Sequence, residues 1–179
     1  MKNKKEEEVL KEGNISLILD SYEDIFSDFD PRPYNVKALS DDFLSECKKA
    51  SVDKNKELEL RLMVPKHKRN TNEEYEIRKR LRNHFQKHFK EKEKEIKSME
   101  KSGLIWFFLG AIVMIFATFL YKYEEVNFLF TFLFIISEPA GWFFFWEGLG
   151  KIFIKSREKK PDYEFYRKMS KTKIYFLDY

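Results

Sequence analysis

The sequence predicts an α+β cytosolic domain, about three strands with helices, interrupted by a two-helix transmembrane hairpin. Three observations predict it. Two windows are almost free of charge in a chain that is 36% charged. Apolar residues alternate through "ELELRLMV", the period of a half-buried strand. Ile77, Leu81, Phe85 and Phe89 recur every fourth residue, the stripe of an amphipathic helix.

The elements follow in chain order. The opening "MKNKKEEEVLKE" is charged throughout and offers no apolar core for a signal peptide. "ISLILD", Ile15 to Asp20, reads as the first strand. Ser40 reads as the N-cap of a helix; Asp41 and Asp42 complement its dipole, and Leu39 with Leu44 forms a hydrophobic staple. The second strand is Glu57 to Val64, with Leu58, Leu60, Leu62 and Val64 on one face. After Pro65, Thr71 and Glu74 have the spacing of a capping box. No Pro or Gly intervenes before Gly103, so that basic helix is expected to run into the first span. Pro161-Asp162 is expected to restart a short helix carrying Phe165, Tyr166 and Met169. Lys173 to Leu177 reads as the third strand.

Gly103 to Tyr121 is nineteen residues without a charge, and Val126 to Trp146 is twenty-one with only Glu138. About 20 apolar residues cross a ~30 Å hydrocarbon core as a helix. The division expected is residues 1–101 as the cytosolic α+β part, whose basic helix leads into the membrane. Residues 102–150 are the hairpin, with spans near 103–121 and 126–147 and a tight turn at Lys122 to Val126. Residues 151–179 are the cytosolic return segment that completes the domain. Lys87, Lys90, Lys92, Lys94, Lys97 and Lys101 enter the first span; Lys151, Lys155, Arg157, Lys159 and Lys160 leave the second. That asymmetry puts both termini in the cytoplasm and the hairpin in the plasma membrane. Trp106, Trp142 and Trp146 fall near the cytoplasmic ends, as interfacial rings do.

Candidate sites are few. Glu138 stands beside Pro139 and Ser137 in the middle of the second span. An ionised carboxylate at that depth costs ~2.5–3.5 kcal/mol, so it must face protein or water, or be protonated. The first span offers it no cation, and Thr118 reads as lying near the wrong end. Pro139 cannot donate to the Ile135 carbonyl, which frees that oxygen for a neutral Glu138 or a water. Gly103, Gly110 and Ala117 repeat every seven residues, and Ser137, Gly141 and Gly148 mark the second span. Close helix packing is expected there, with Glu138 at its border.

Asp20, Asp24, Asp28 and Asp30, with Arg32, form the richest acidic stretch and would suit a hard cation or a phosphate–metal ligand. The plainer reading is turn and cap chemistry, with Ser21 and Asp24 capping a short helix. His84 and His88 have metal-compatible spacing but no general-base Glu between them, and read as boundary histidines. Cys47, alone, forms no intrachain disulfide. No catalytic residue, metal site or cofactor is expected. The basic segments beside the spans suit the lipid bilayer and its anionic headgroups rather than a nucleic acid, since the net charge is only +4. The function expected is a non-enzymatic, self-associating membrane protein with a cytosolic ligand- or partner-binding module. The alternatives are an oligomeric pore gated by that module, and a membrane-anchored enzyme using the Asp20 to Asp30 metal cluster.

Overall fold

The structure, a computed structural model, describes residues 14–52, 54, 58–123 and 127–179. It is mostly helical, with one small three-stranded parallel sheet. Two compact units partition the chain: Met1–Lys90 with Tyr163–Tyr179, and Glu91–Asp162.

In the first unit, β1 (Asn14–Ile18), β2 (Glu59–Val64) and β3 (Lys173–Asp178) lie side by side in that order. Both pairings are parallel, so each needs a crossover rather than a hairpin turn. The register places Ile15, Leu60 and Ile174 in one row, and Leu17, Leu62 and Phe176 in the next. Leu60, Leu62, Val64, Ile174 and Phe176 are buried, so the alternation in the sequence is the alternation of the sheet's two faces.

That buried face meets helices. In α1 (Asp41–Ser51), Ser40 caps the start by accepting from the Phe43 amide, and Phe43 and Cys47 point inward. In α2 (Thr71–Tyr121), Ile77, Leu81 and Phe85 are fully buried, while Phe89 sits beside the Tyr163 ring at 5.6 Å. α4 (Ser156–Lys171) adds Phe165 and Met169. These residues form one core with Ile15, Tyr22, Ile25 and Phe26.

In the second unit, α2 continues to Tyr121 as one unbroken helix of 51 residues and packs beside α3 (Phe128–Gly150). Asn127 caps α3 by accepting from the Leu129 amide. Of the expected turn, Glu124, Glu125 and Val126 lie outside the described residues, as do Met1 to Gly13 and the start of the expected second strand at Glu57.

Two expectations are corrected. The cap of α2 is Asn70, whose side-chain oxygen accepts from the Asn72 amide at 3.1 Å, rather than Thr71. Glu74 is thereby released from capping and buried elsewhere. Pro161 also does not restart a helix. The chain stays helical from Phe128 to Lys171, through a π-helical segment at Lys151–Lys155 in which the Ser156 amide donates to the Lys151 carbonyl. Pro161 removes one intrahelical bond, but both flanks are anchored. Before it, Lys159 pairs with Glu95 at 3.1 Å and Ser156 bonds Glu100 at 3.4 Å; after it, Phe165 and Met169 are buried.

Candidate functional site

Glycines set how closely the two apolar helices approach. A Cβ on Gly110 would lie 2.8 Å from the Gly141 carbonyl oxygen, and one on Gly148 would lie 2.7 Å from that of Gly103. On Gly141 it would reach 2.6 Å from Met114 Cγ. Backbone-to-backbone packing of this kind is open only to residues without a side chain. Ala117 is buried one turn beyond Met114, with Leu120 next to it.

Beside this seam the two helices line a groove of about 220 Å³. α2 supplies Met114, Ala117, Thr118 and Tyr121 to its lining; α3 supplies Phe134, Glu138 and Trp142. Phe134, Glu138 and Trp142 are spaced four apart, so they stack along one helix face. Tyr121 and Phe134 meet across the groove with ring centroids 5.5 Å apart. Thr118 donates to its own helix, to the Met114 carbonyl at 2.9 Å.

Glu138 is exposed on this groove. Among the described residues its carboxylate carries no hydrogen bond or ion pair, and Pro139 beside it lies within the continuous α3. The expected clasp on the Ile135 carbonyl is therefore not made. Thr118 is not at the wrong end either. Gly141 lies against Met114, and the antiparallel run that follows brings Glu138 to the level of Ala117 and Thr118. Ser137 is half-buried one turn before Gly141. The sequence reading took Trp142 as an interfacial ring and did not group it with Phe134 and Glu138, although the i, i+4 spacing of the three is a signal that does so.

The other candidates have structural employment. Asp24 accepts from the Asp20 and Ser21 amides at 2.6 and 3.1 Å, and Ser21 accepts in turn from Glu23, closing a capping box on the 3-10 turn Tyr22–Ile25. Asp30 grips Arg32 through two bonds of 2.8 and 2.7 Å and accepts from the Ala38 amide at 2.6 Å. Those contacts hold its carboxyl well below the usual range. Asp28 is exposed. Among the described residues no group of three or more His, Cys, Asp or Glu side chains is placed to hold a metal. His84 and His88 stand 4.3 Å apart by ring centroids, and His88 stacks on Tyr166 at 5.2 Å. Burial pushes His84 down to about 4, and the electrostatic influence of neighbouring Arg80 and Lys87 adds to the shift. Cys47 is fully buried, and burial pushes its thiol up to about 12, away from any nucleophilic role.

One cluster was not foreseen. Glu74, 2% exposed, accepts from Arg69 Nε at 2.7 Å and from the Tyr22 hydroxyl at 3.0 Å. It joins the loop after β1 to the start of α2, which is the work of a fold-holding pair rather than a reacting group.

At the ends of the hairpin helices nearest α4, ion pairs gather. Glu147 holds Lys155 at 3.1 Å and Lys151 at 3.5 Å, and Lys151 also lies over the Trp106 ring at 4.7 Å. Glu95 holds both Lys92 and Lys159. α2 and the helix from Phe128 to Lys171 are each long and apolar enough to cross a membrane. Neither a family model, nor a curated protein, nor a solved structure matches this chain.

Proposed function

We propose that this chain is an integral membrane protein whose helical hairpin spans the bilayer and whose α/β unit is a non-enzymatic binding module on the cytoplasmic side. One observation carries the reading. Only 22% of the apolar window in α2, and 6% of that in the helix from Phe128 to Lys171, is buried within the chain. The core helix of a soluble protein hides most of such a window. Here Ile105, Phe108, Ile112, Ile115, Phe128 and Phe143 face outward, each more than half exposed. Hydrocarbon is the surrounding that makes this favourable.

The ion pairs support the orientation and the lipid partner. Lys92, Lys97, Lys151, Lys155 and Lys159 are paired with glutamates. Lys90, Lys94, Lys101, Arg157 and Lys160 carry no such pair among the described residues. These five are left to meet anionic headgroups, at ~1 kcal/mol each close to the surface.

For the module, the uncovered face of the sheet supports binding and self-association. Parallel sheets are normally covered on both faces. Here the register sets Ile18, Met63 and Leu177 in one outward row, with Ile18 69% exposed. The neighbouring rows hold Glu59, Arg61 and Lys173, so the face carries both signs of charge and suits a second copy of itself.

Topology tests the core of this proposal. Cysteines placed by Lys122→Cys and Lys160→Cys should differ: only the first should react with an impermeant maleimide added outside intact cells. Cys47 needs no replacement, because its buried thiol stays unlabelled. Labelling at position 160 from outside, or release of the protein from membranes by alkaline carbonate, overturns the reading. Association is read from the mass of the protein in nanodiscs, which Met63→Lys should lower toward a single copy.

A further inference from the structure

We propose that the groove beside Glu138 binds a compact, lipid-soluble organic monocation of the quaternary-ammonium class. The inference rests on the membrane reading above.

A carboxylate at bilayer depth is costly enough, at ~2.5–3.5 kcal/mol, to mark a site in its own right. Glu138 has no partner within the described chain, and the two spans bring it no Lys or Arg. In its ionised form the carboxylate takes its neutralising charge from outside the chain, and at this depth that charge comes through lipid. The groove is reachable from there, since Tyr121 is 58% and Trp142 46% exposed.

The chemistry of the walls chooses among cations. A calcium ion wants about six to eight oxygens. This groove offers one carboxylate, the Tyr121 hydroxyl, and a Thr118 hydroxyl already committed to Met114. It offers far more aromatic surface: Tyr121, Phe134 and Trp142 line the same groove as the carboxylate. Aromatic faces attract cations through the ring quadrupole, most strongly where water is excluded, and they favour weakly hydrated organic ones. One carboxylate matches one positive charge.

Size points the same way. The groove has a volume of about 220 Å³. That admits a trimethylammonium group with one small apolar substituent. A helix from another chain, about 10 Å across, does not enter it.

The test uses the full chain in phosphatidylcholine nanodiscs and radiolabelled benzyltrimethylammonium. Its neutral counterpart, neopentylbenzene, reports partition into lipid. Wild type should bind the cation saturably, one per chain, and show only non-saturable uptake of the hydrocarbon. Glu138→Gln, which keeps size and hydrogen-bond donors, should weaken cation binding by about tenfold or more, and Trp142→Ala by about fivefold. Both variants should enter nanodiscs with the wild-type size profile, which separates loss of a site from loss of the fold. Undiminished binding in Glu138→Gln, saturable binding of the neutral hydrocarbon, or no saturable binding by an inserted wild-type protein overturns the proposal. Failure of the wild type to enter nanodiscs at all sinks the membrane reading itself, so the two failures are told apart.

Discussion

The Tyr22 hydroxyl donates to Glu74 Oε1 at 3.0 Å, across a sequence separation of 52 residues. The same hydroxyl accepts from the Asn70 amide at 2.9 Å, so one phenol ties the turn after β1 to the cap of α2. Arg69 completes the cluster with two bonds to Glu74, of 2.7 and 3.0 Å. Tyr22 also packs edge-on to Phe176 of β3 at 5.7 Å.

Glu74→Ala should therefore destabilise the sheet unit by about 2–3 kcal/mol. A broken buried pair costs more than that, but Arg69 is partly exposed and keeps some water. Tyr22→Phe should cost about 1 kcal/mol, one hydrogen bond with the aromatic packing kept. Urea midpoints by pulse proteolysis measure both. Burial raises the Glu74 carboxyl, but the Arg69 and Tyr22 bonds outweigh it and hold it below its ordinary value. Its folded pKa is depressed, so its stabilisation is fully present above about pH 4.5 and is lost as pH falls below that. Glu74→Gln should flatten the acid limb of the stability curve.

His84 gives a pH signature in a different window. Its pKa falls to about 4 in the folded chain, from an ordinary value near 6.5. Between those values the unfolded chain takes up a proton that the folded chain refuses, so stability declines as pH drops from about 6.5 to 4. With solvent screening allowed for, the loss should be about 1–2 kcal/mol. His84→Phe should remove this slope while leaving the slope below pH 4.5 that belongs to Glu74. A wild-type midpoint unchanged between pH 7 and 5 would count against the half-buried, neutral imidazole.

In the hairpin, two glycine substitutions should separate packing from propensity. Gly110→Val forces the helices apart, because its Cβ meets the backbone of Gly141; a loss of about 1–3 kcal/mol is expected. Gly150→Ala meets nothing within 4 Å, so only helix propensity acts and a gain of about 0.5–1 kcal/mol is expected. Thermal unfolding in detergent reads both, and equal effects would mean that the glycine seam does not hold the hairpin.

Legibility in the sequence followed the range of the forces involved. The strands were visible because Leu60, Leu62 and Val64 alternate locally, and the α1 cap because Ser40 acts three residues away. The parallel order was not visible: Leu62 meets Phe176 across more than a hundred residues, and no local pattern encodes which edge β3 joins. Thr71 matched the capping-box pattern as well as Asn70 did. What decided between them was Tyr22, whose hydroxyl claims Glu74 and so removes it from the box. Glu138 stood out as a lone charge, but its groove depends on the pairing of Gly141 with Met114, a register that single helices do not reveal.

Removing residues 172–179 should destabilise the whole sheet unit, because β2 loses its β3 partner and Ile174 and Phe176 leave the core. Limited proteolysis of the full-length and shortened proteins measures this. Wild-type resistance in the shortened protein would show that β1 and β2 with the helices suffice.

β2 lies at the centre of the sheet, but the strand that closes its second side is made only after both apolar helices have been synthesised. Until then the edge at Leu60 and Leu62 offers unpaired amides and carbonyls to any other extended chain. A polypeptide delayed while its two apolar helices are being made would hold that edge open throughout the delay. The sheet can close only after both helices have been made. A protease or chaperone that recognises the open edge would thereby sense an unfinished chain through the sheet, without touching the apolar helices.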